Sequence, residues 1–174
     1  MNQSQLTKDI SNCKICSDSL ELGPRPVLSF STESKIAIIG QAPGTKVHKS
    51  GIPWDDASGK NLRAWLGVDE SQFYNPNIFA IVPMGFCYPG KGKTGDLPPR
   101  KECAPQWHKP IFEITQDLKY YILIGKYAQD YYLNDKITLT ERVKNYKEYL
   151  PKYICLPHPS PRNNIWMNKN FWFK

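Results

Sequence analysis

The chain has 174 residues, 40% hydrophobic and 13% aromatic, which is enough to bury a core and too apolar for wholesale disorder. No apolar run approaches the length of a membrane span, and a formal charge of +7 suits a polyanionic partner such as nucleic acid. Five cysteines, an odd number, argue against a disulfide framework; residues 1–9 have no basic start leading into an apolar core, so a cytoplasmic protein without a signal peptide is expected.

In chain order, Leu6 and Ile10 at i and i+4 predict a short helix over residues 3–12, which delivers Cys13-Lys14-Ile15-Cys16. Residues 22–28 carry two prolines and read as extended. Ile36-Ala37-Ile38-Ile39 is a buried strand, within about 35–40, cut off by the rigid loop Gly40-Gln41-Ala42-Pro43-Gly44. Residues 46–59 are rich in turn formers and read as a loop. Ser58 is a reasonable N-cap for a helix marked by Leu62, Trp65 and Leu66 and closed by Gly67. A second strand, Ile78–Val82, runs into a loop over 83–103 that is too long to be mere connection. A helix near 105–115, a strand at Tyr120–Ile124, helices over 127–133 and 142–149, and a strand at Tyr153–Leu156 complete the pattern, followed by an aromatic tail expected to pack on the domain. Strands alternating with helices predict one α/β domain over residues 1–174 with a mostly parallel four-stranded sheet and helices on both faces.

The loops at 40–59, 83–103 and 157–164 all follow strands, and in a parallel sheet they leave from one edge, where ligands bind. Gln41, Trp54, Asp55, Asp56, Gly85, Phe86 and His158 are therefore expected around one cleft. His158 stands between Pro157 and Pro159, whose rings fix the local backbone, and a pre-set imidazole suits hydrogen bonding to charge developing on a leaving group. Ser160 and Arg162 suit a phosphate. His48 and His108 lack such context and read as surface or packing residues. Trp54 offers a flat face for stacking a base, although spacing alone equally allows a core tryptophan. Asp55 and Asp56 suit orienting a water or stabilising a sugar cation; a solvated carboxylate or a helix cap is the competing role. Cys13-x-x-Cys16 is a metal-type pair, and Cys87 and Cys103 flank the long loop. Four thiolates suit an iron–sulfur cluster or zinc, with four unrelated buried thiols as the alternative, and Cys155 reads as core.

Together these stretches resemble the uracil-DNA glycosylase superfamily, and within it the cluster-containing branch called family 4. The resemblance rests on Gly40-Gln41-Ala42-Pro43-Gly44, on Gly51-Ile52-Pro53-Trp54 with Ser58-Gly59, on His158-Pro159-Ser160-Pro161, and on the four cysteines in their order. It implies a three-layer α/β/α domain and hydrolysis of the N-glycosidic bond of uracil or another deaminated base in DNA. It also implies a 4Fe-4S cluster on Cys13, Cys16, Cys87 and Cys103, with zinc or no metal as alternatives. In that reading Trp54 stacks on the base, and Gly40, Ala42, Pro43 and Gly44 border it. His158 meets the departing base, and Gln41 with Asp55 or Asp56 handles water and sugar charge. Ser160, Pro161 and Arg162 engage the DNA, with Pro161 and Arg162 where relatives place a wedge. The expected partner is DNA holding a damaged base, with no membrane and no second subunit. Gln41 and Ala42 stand where some relatives have an acid, and Pro83 stands where relatives have an asparagine. A non-catalytic module that recognises damaged or single-stranded DNA is therefore the alternative function. A nucleotide or sugar-phosphate binder is a third, without a P-loop or G-x-G-x-x-G signature.

Overall fold

The computed structural model describes residues 2–173. Four parallel strands form its sheet: β1 (Ile36–Ile39), β2 (Phe79–Ile81), β3 (Tyr120–Ile124) and β4 (Tyr153–Leu156), in the order β2-β1-β3-β4. Alternate side chains point to opposite faces of a strand. Ile38, Ile81, Ile122 and Ile124 accordingly share one buried cluster, and Ala37, Ile39 and Leu123 share another.

The first face is covered by α3 (Ala57–Leu66) and α4 (Glu70–Phe73), which contribute Leu62 and Phe73. The second is covered by α1 (Gln3–Ser11), α5 (Cys103–Ile114) and α6 (Gly125–Leu133), which contribute Leu6, Ile10, Ile111 and Ala128. The result is the three-layer α/β/α arrangement expected from the sequence. Connections from β1 to β2 and from β3 to β4 leave on opposite faces, through α3 and α6, so the loops after β1 and β3 diverge at the carboxyl edge. At the outer edge of β2 an antiparallel bridge joins Ser29 to Ile81.

Three predictions need correction. Residues 46–59 are not all loop: α2 (Thr45–Ser50) turns there and buries Val47. The cap of α3 is Asp56, whose carboxylate accepts from Gly59 N at 2.8 Å, and not Ser58. The helix placed at 142–149 is α7 (Leu139–Lys144) followed by a 3₁₀ turn at Tyr146–Tyr149, because the Thr138–Glu141 capping box starts it earlier. The tail forms α8 (Asn164–Lys169) and a last turn at Phe171–Phe173. Phe173 packs edge-on against Trp65 of α3 with centroids 5.2 Å apart.

Candidate active site

A cavity of about 550 Å³ opens at the carboxyl edge of the sheet, a size suited to a small organic group. Gly40, Gln41, Ala42, Pro43 and Gly44 line it from the end of β1, and Trp54 and Asp56 from the approach to α3. Pro83 and Asp96 line it from the loop after β2, and His158, Ser160 and Arg162 from the loop after β4. Three loops distant in sequence thus meet where parallel strands end.

His158 is held in one protonation state. Ser160 N donates to its Nδ1 at 3.2 Å, so Nδ1 carries no proton and Nε2 is the donor of a neutral ring. Burial draws its pKa below the ordinary histidine value, and the Asp56 charge offsets this only in part. The loop itself is tied down from two sides: Asn163 Nδ2 donates to the His158 carbonyl at 3.0 Å, and Asn61 Nδ2 on α3 donates to the Pro159 carbonyl at 2.9 Å. The histidine is therefore a fixed hydrogen-bond donor that does not carry positive charge at neutral pH.

Trp54 faces His158, with ring centroids 5.7 Å apart and planes tilted by 33°. Half-buried, it also packs on the Ile38 cluster, so it is core and cavity wall at once. Its backbone is left-handed, with φ 57°, a conformation that a bulky residue adopts only when its surroundings impose it. Two glycines make the room. A Cβ on Gly40 would lie 2.6 Å from the indole, and one on Gly59 would lie 1.7 Å from the Trp54 carbonyl oxygen.

The first loop offers donors. Gly40 and Gln41 give their carbonyls to Met84 N and Gly85 N at 2.9 and 3.0 Å, docking the loop after β2. Among the described residues no acceptor takes the amide N–H of Gln41 or Ala42. Beneath that loop His108 is buried and braced: its Nε2 donates to the Pro83 carbonyl at 2.9 Å, and Tyr132 OH donates to its Nδ1 at 2.5 Å. Burial pulls the His108 pKa down to about 4. His48 packs beside Tyr88, so both histidines are packing residues, as expected.

Asp55 does not line the cavity. It is exposed, and its charge is felt by Tyr74 on the far side of the turn, while its neighbour Asp56 faces inward and caps α3. Pro161 is likewise exposed, as the first residue of the 3₁₀ turn Pro161–Asn163. Gly85 and Phe86 also lie off the cavity; Phe86 packs in the core with Leu6 and Ile111. Asp96, which the sequence did not single out, brings a second carboxylate into the cavity. Its Oδ2 sits 3.4 Å from where Gly44 would carry a Cβ, and its Oδ1 accepts from Tyr88 OH at 3.3 Å. A tight turn holds it there, with Leu97 N donating to the Gly90 carbonyl and Gly92 N to the Gly95 carbonyl at 2.9 and 2.7 Å.

On the other side of the same loop, Cys13, Cys16, Cys87 and Cys103 line one small pocket with Ile10, Leu20, Phe86 and Trp107. Burial first, and the neighbouring thiols after it, push Cys87 up to about 11 and Cys103 up to about 12, so a metal charge is needed to hold them as thiolates. Phe86 N donates to the Cys103 sulfur at 3.3 Å. The buried Nε of Arg100, at the rim, has no partner. Among the described residues no three His, Cys, Asp or Glu side chains are placed to hold a single metal ion. Four sulfurs with amide support and an apolar surround nevertheless match the donor set of an iron–sulfur cluster. Cys155 is core, on β4.

Fold and cleft define a layered α/β protein whose crevice is walled by the loops after β1, β2 and β4. Its sequence matches the family model described as the Uracil DNA glycosylase superfamily over residues 29–174, and the chain belongs to that superfamily. Members are typically hydrolytic glycosylases that act on DNA. The match includes Cys87 and Cys103 and begins after Cys13 and Cys16.

Proposed function

We propose that this protein is a DNA glycosylase that removes uracil or another deaminated base. The observation that carries the reading is the Ser160 N–H on His158 Nδ1, which leaves a neutral imidazole with its N–H proton on Nε2 in a cavity with room for a base. A base must leave the duplex to reach such a cavity. There Trp54 stacks on its face, and the free Gln41 and Ala42 amides meet its polar edge. As the glycosidic C–N bond breaks, its electron pair goes to the base, and His158 donates a hydrogen bond to the oxygen where that charge collects. The sugar becomes cationic and is stabilised by Asp96, Asp56 and the DNA phosphates. Water then adds to the sugar carbon and its proton passes to a carboxylate. Asp96 is the better acceptor, because Asp56 already caps α3. Gln41 positions a water and takes no proton.

Oligonucleotides carrying a single uracil, hypoxanthine or xanthine, single- and double-stranded, test this when abasic sites are cleaved with alkali. Base release by wild type that falls with His158→Ala and, by a smaller factor, with Asp96→Asn is expected. No release from any of these bases overturns the enzyme reading. One observation favours the alternative, a binding module without turnover: Pro83 lines the cavity without a side-chain donor, and its carbonyl is taken by His108. That reading requires salt-dependent DNA affinity that survives His158→Ala with no base released.

We further propose that the chain belongs to the cluster-containing branch, with a 4Fe-4S cluster on Cys13, Cys16, Cys87 and Cys103. When bound, such a group supplies an electron store and a staple between the end of α1 and the loop after β2; the staple is the role proposed here. The convergence of four thiols on one pocket supports this. Anaerobically purified protein is expected to be brown, with iron and sulfide in cluster proportion; zinc alone, or no metal, refutes it. No helix among the described residues is long and apolar enough to cross a membrane. A cytoplasmic monomer acting on DNA is the proposed setting.

A further inference from the structure

A second cavity, of about 690 Å³, lies against the first. Gln41, His158 and Asn163 line both, so the catalytic loop is the partition between them. Beyond the partition the walls are Tyr127 of α6, Lys136 and Thr140 around the start of α7, and Trp166 of α8.

The chemistry of this cavity is that of a strand-binding groove. Trp166 is held rigid: its Nε1 donates to Thr140 Oγ1 at 2.9 Å, and Trp172 and Phe173 pack edge-on against it at 5.9 and 5.7 Å. Tyr127 is 40% exposed, leaving a second ring open to solvent. Two acids also line the cavity, Asp130 and Asp135, but buried Arg142 pairs with both at 2.6 Å, and Lys126 pairs with Asp130. Lys136 has no acidic partner among the described residues, so the local balance is one positive charge. Rigid aromatic faces beside an uncommitted cation are what single-stranded nucleic acid uses, a ring under each base and positive charge along the backbone. Because α8 follows directly on the His158 loop, the platform and the catalytic histidine belong to one continuous segment.

We propose that this second cavity binds the nucleotide adjacent to the one held in the catalytic cavity, on the same DNA strand, with its base against Trp166 and Tyr127 and its phosphate near Lys136. The proposal rests on the glycosylase reading for the occupant of the first cavity. It adds a subsite that makes binding depend on single-stranded sequence flanking one side of the target.

The test uses the full-length protein and short single strands centred on a tetrahydrofuran abasic analogue, which needs no base release. One nucleotide added on one side only is expected to tighten binding ~5- to 100-fold, the range of a single base-on-ring contact. Trp166→Ala removes that increment while leaving the affinity of the unextended strand within about twofold. Lys136→Gln lowers the salt slope of the extended strand by about 0.7, the share of one contact on a single strand. Should Trp166→Ala fail to fold, Tyr127→Ala and Lys136→Gln carry the decision. Equal increments on both sides, no increment, or an increment unchanged by these substitutions overturns the proposal. An increment without base release overturns the glycosylase reading and leaves the subsite; base release without an increment does the reverse.

Discussion

The loop over 83–103 has two sides, and they are built in opposite ways. On the cleft side the protein already holds three groups by hydrogen bonds: His158 by Ser160 N, the Pro159 carbonyl by Asn61, and Asp96 by Tyr88. On the cysteine side four thiols converge, burial disfavours the charged forms of Cys87 and Cys103, and the Arg100 Nε beside them lacks a partner. A site organised by hydrogen bonds is complete as folded. A site of converging thiols is completed by what it binds, since metal affinity is then part of folding free energy. The cleft should thus fail in rate when altered, and the cysteine pocket should fail in stability.

The largest expected effect is on the cleft. His158→Ala should lower base release about 10²- to 10³-fold in single-turnover assays, the usual cost of one preorganised donor, with a much smaller change in DNA affinity. Equal losses in rate and affinity would show that the ring only holds the loop. Next, Cys103→Ser should abolish the absorbance of the proposed cluster and lower Tm by roughly 5–10 °C, as a loss of about 2–3 kcal/mol does in a chain of this size. Its rate per folded molecule should stay within about twofold, because the turn carrying Asp96 has its own hydrogen bonds. A collapse in rate with unchanged Tm would erase the contrast between the two sides.

Gly59→Ala comes third. A Cβ there meets the Trp54 carbonyl at 1.7 Å, so the backbone must shift; about 1–3 kcal/mol of stability should be lost, with weaker binding of base-containing DNA. Gly67→Ala is the control, since nothing lies within 4 Å of its Cβ; at φ 65° it carries only local strain and should leave DNA binding unchanged.

The smallest effect is on pH. The folded pKa of His158 lies below the ordinary value of 6.5, and that of His108 falls to about 4. Below 6.5 the unfolded chain takes up protons that these folded rings refuse. Stability therefore drops as pH falls from 6.5 toward 4, and their titration adds nothing above 6.5. Base release should stay level from pH 8 to 6.5 and decline only below, where a protonated Nδ1 would confront the Ser160 N–H. A rate that rises as pH falls through 7 would mean that a charged imidazole does the work.

The sheet was legible because its strands are short runs of apolar, mostly β-branched residues followed by glycine and proline. The meeting of three strand-end loops then followed from parallel topology alone. What escaped was set by tertiary contacts. The α2 segment is polar, and it is helical because Val47 is buried. Asp55 and Asp56 are adjacent and alike in sequence, yet the start of α3 turns one inward and leaves the other exposed. Asp96 sits amid glycines and lysines with no local sign of its role; the turn from Gly90 to Leu97 folds it over Gly44. A lone acid in a loop already judged too long for a connection was the signal available.

Gly40, Trp54 and Gly59 belong to separate motifs, but the indole and its carbonyl occupy space that only hydrogen atoms on both glycines leave free. The three positions therefore behave as one heritable character. A side chain gained at Gly40 is tolerated only after residue 54 has become smaller, and one gained at Gly59 only after the backbone at residue 54 has moved. The order in which these codons change is constrained: loss of the indole frees position 40, while position 59 is held to glycine as long as the backbone at residue 54 keeps its place.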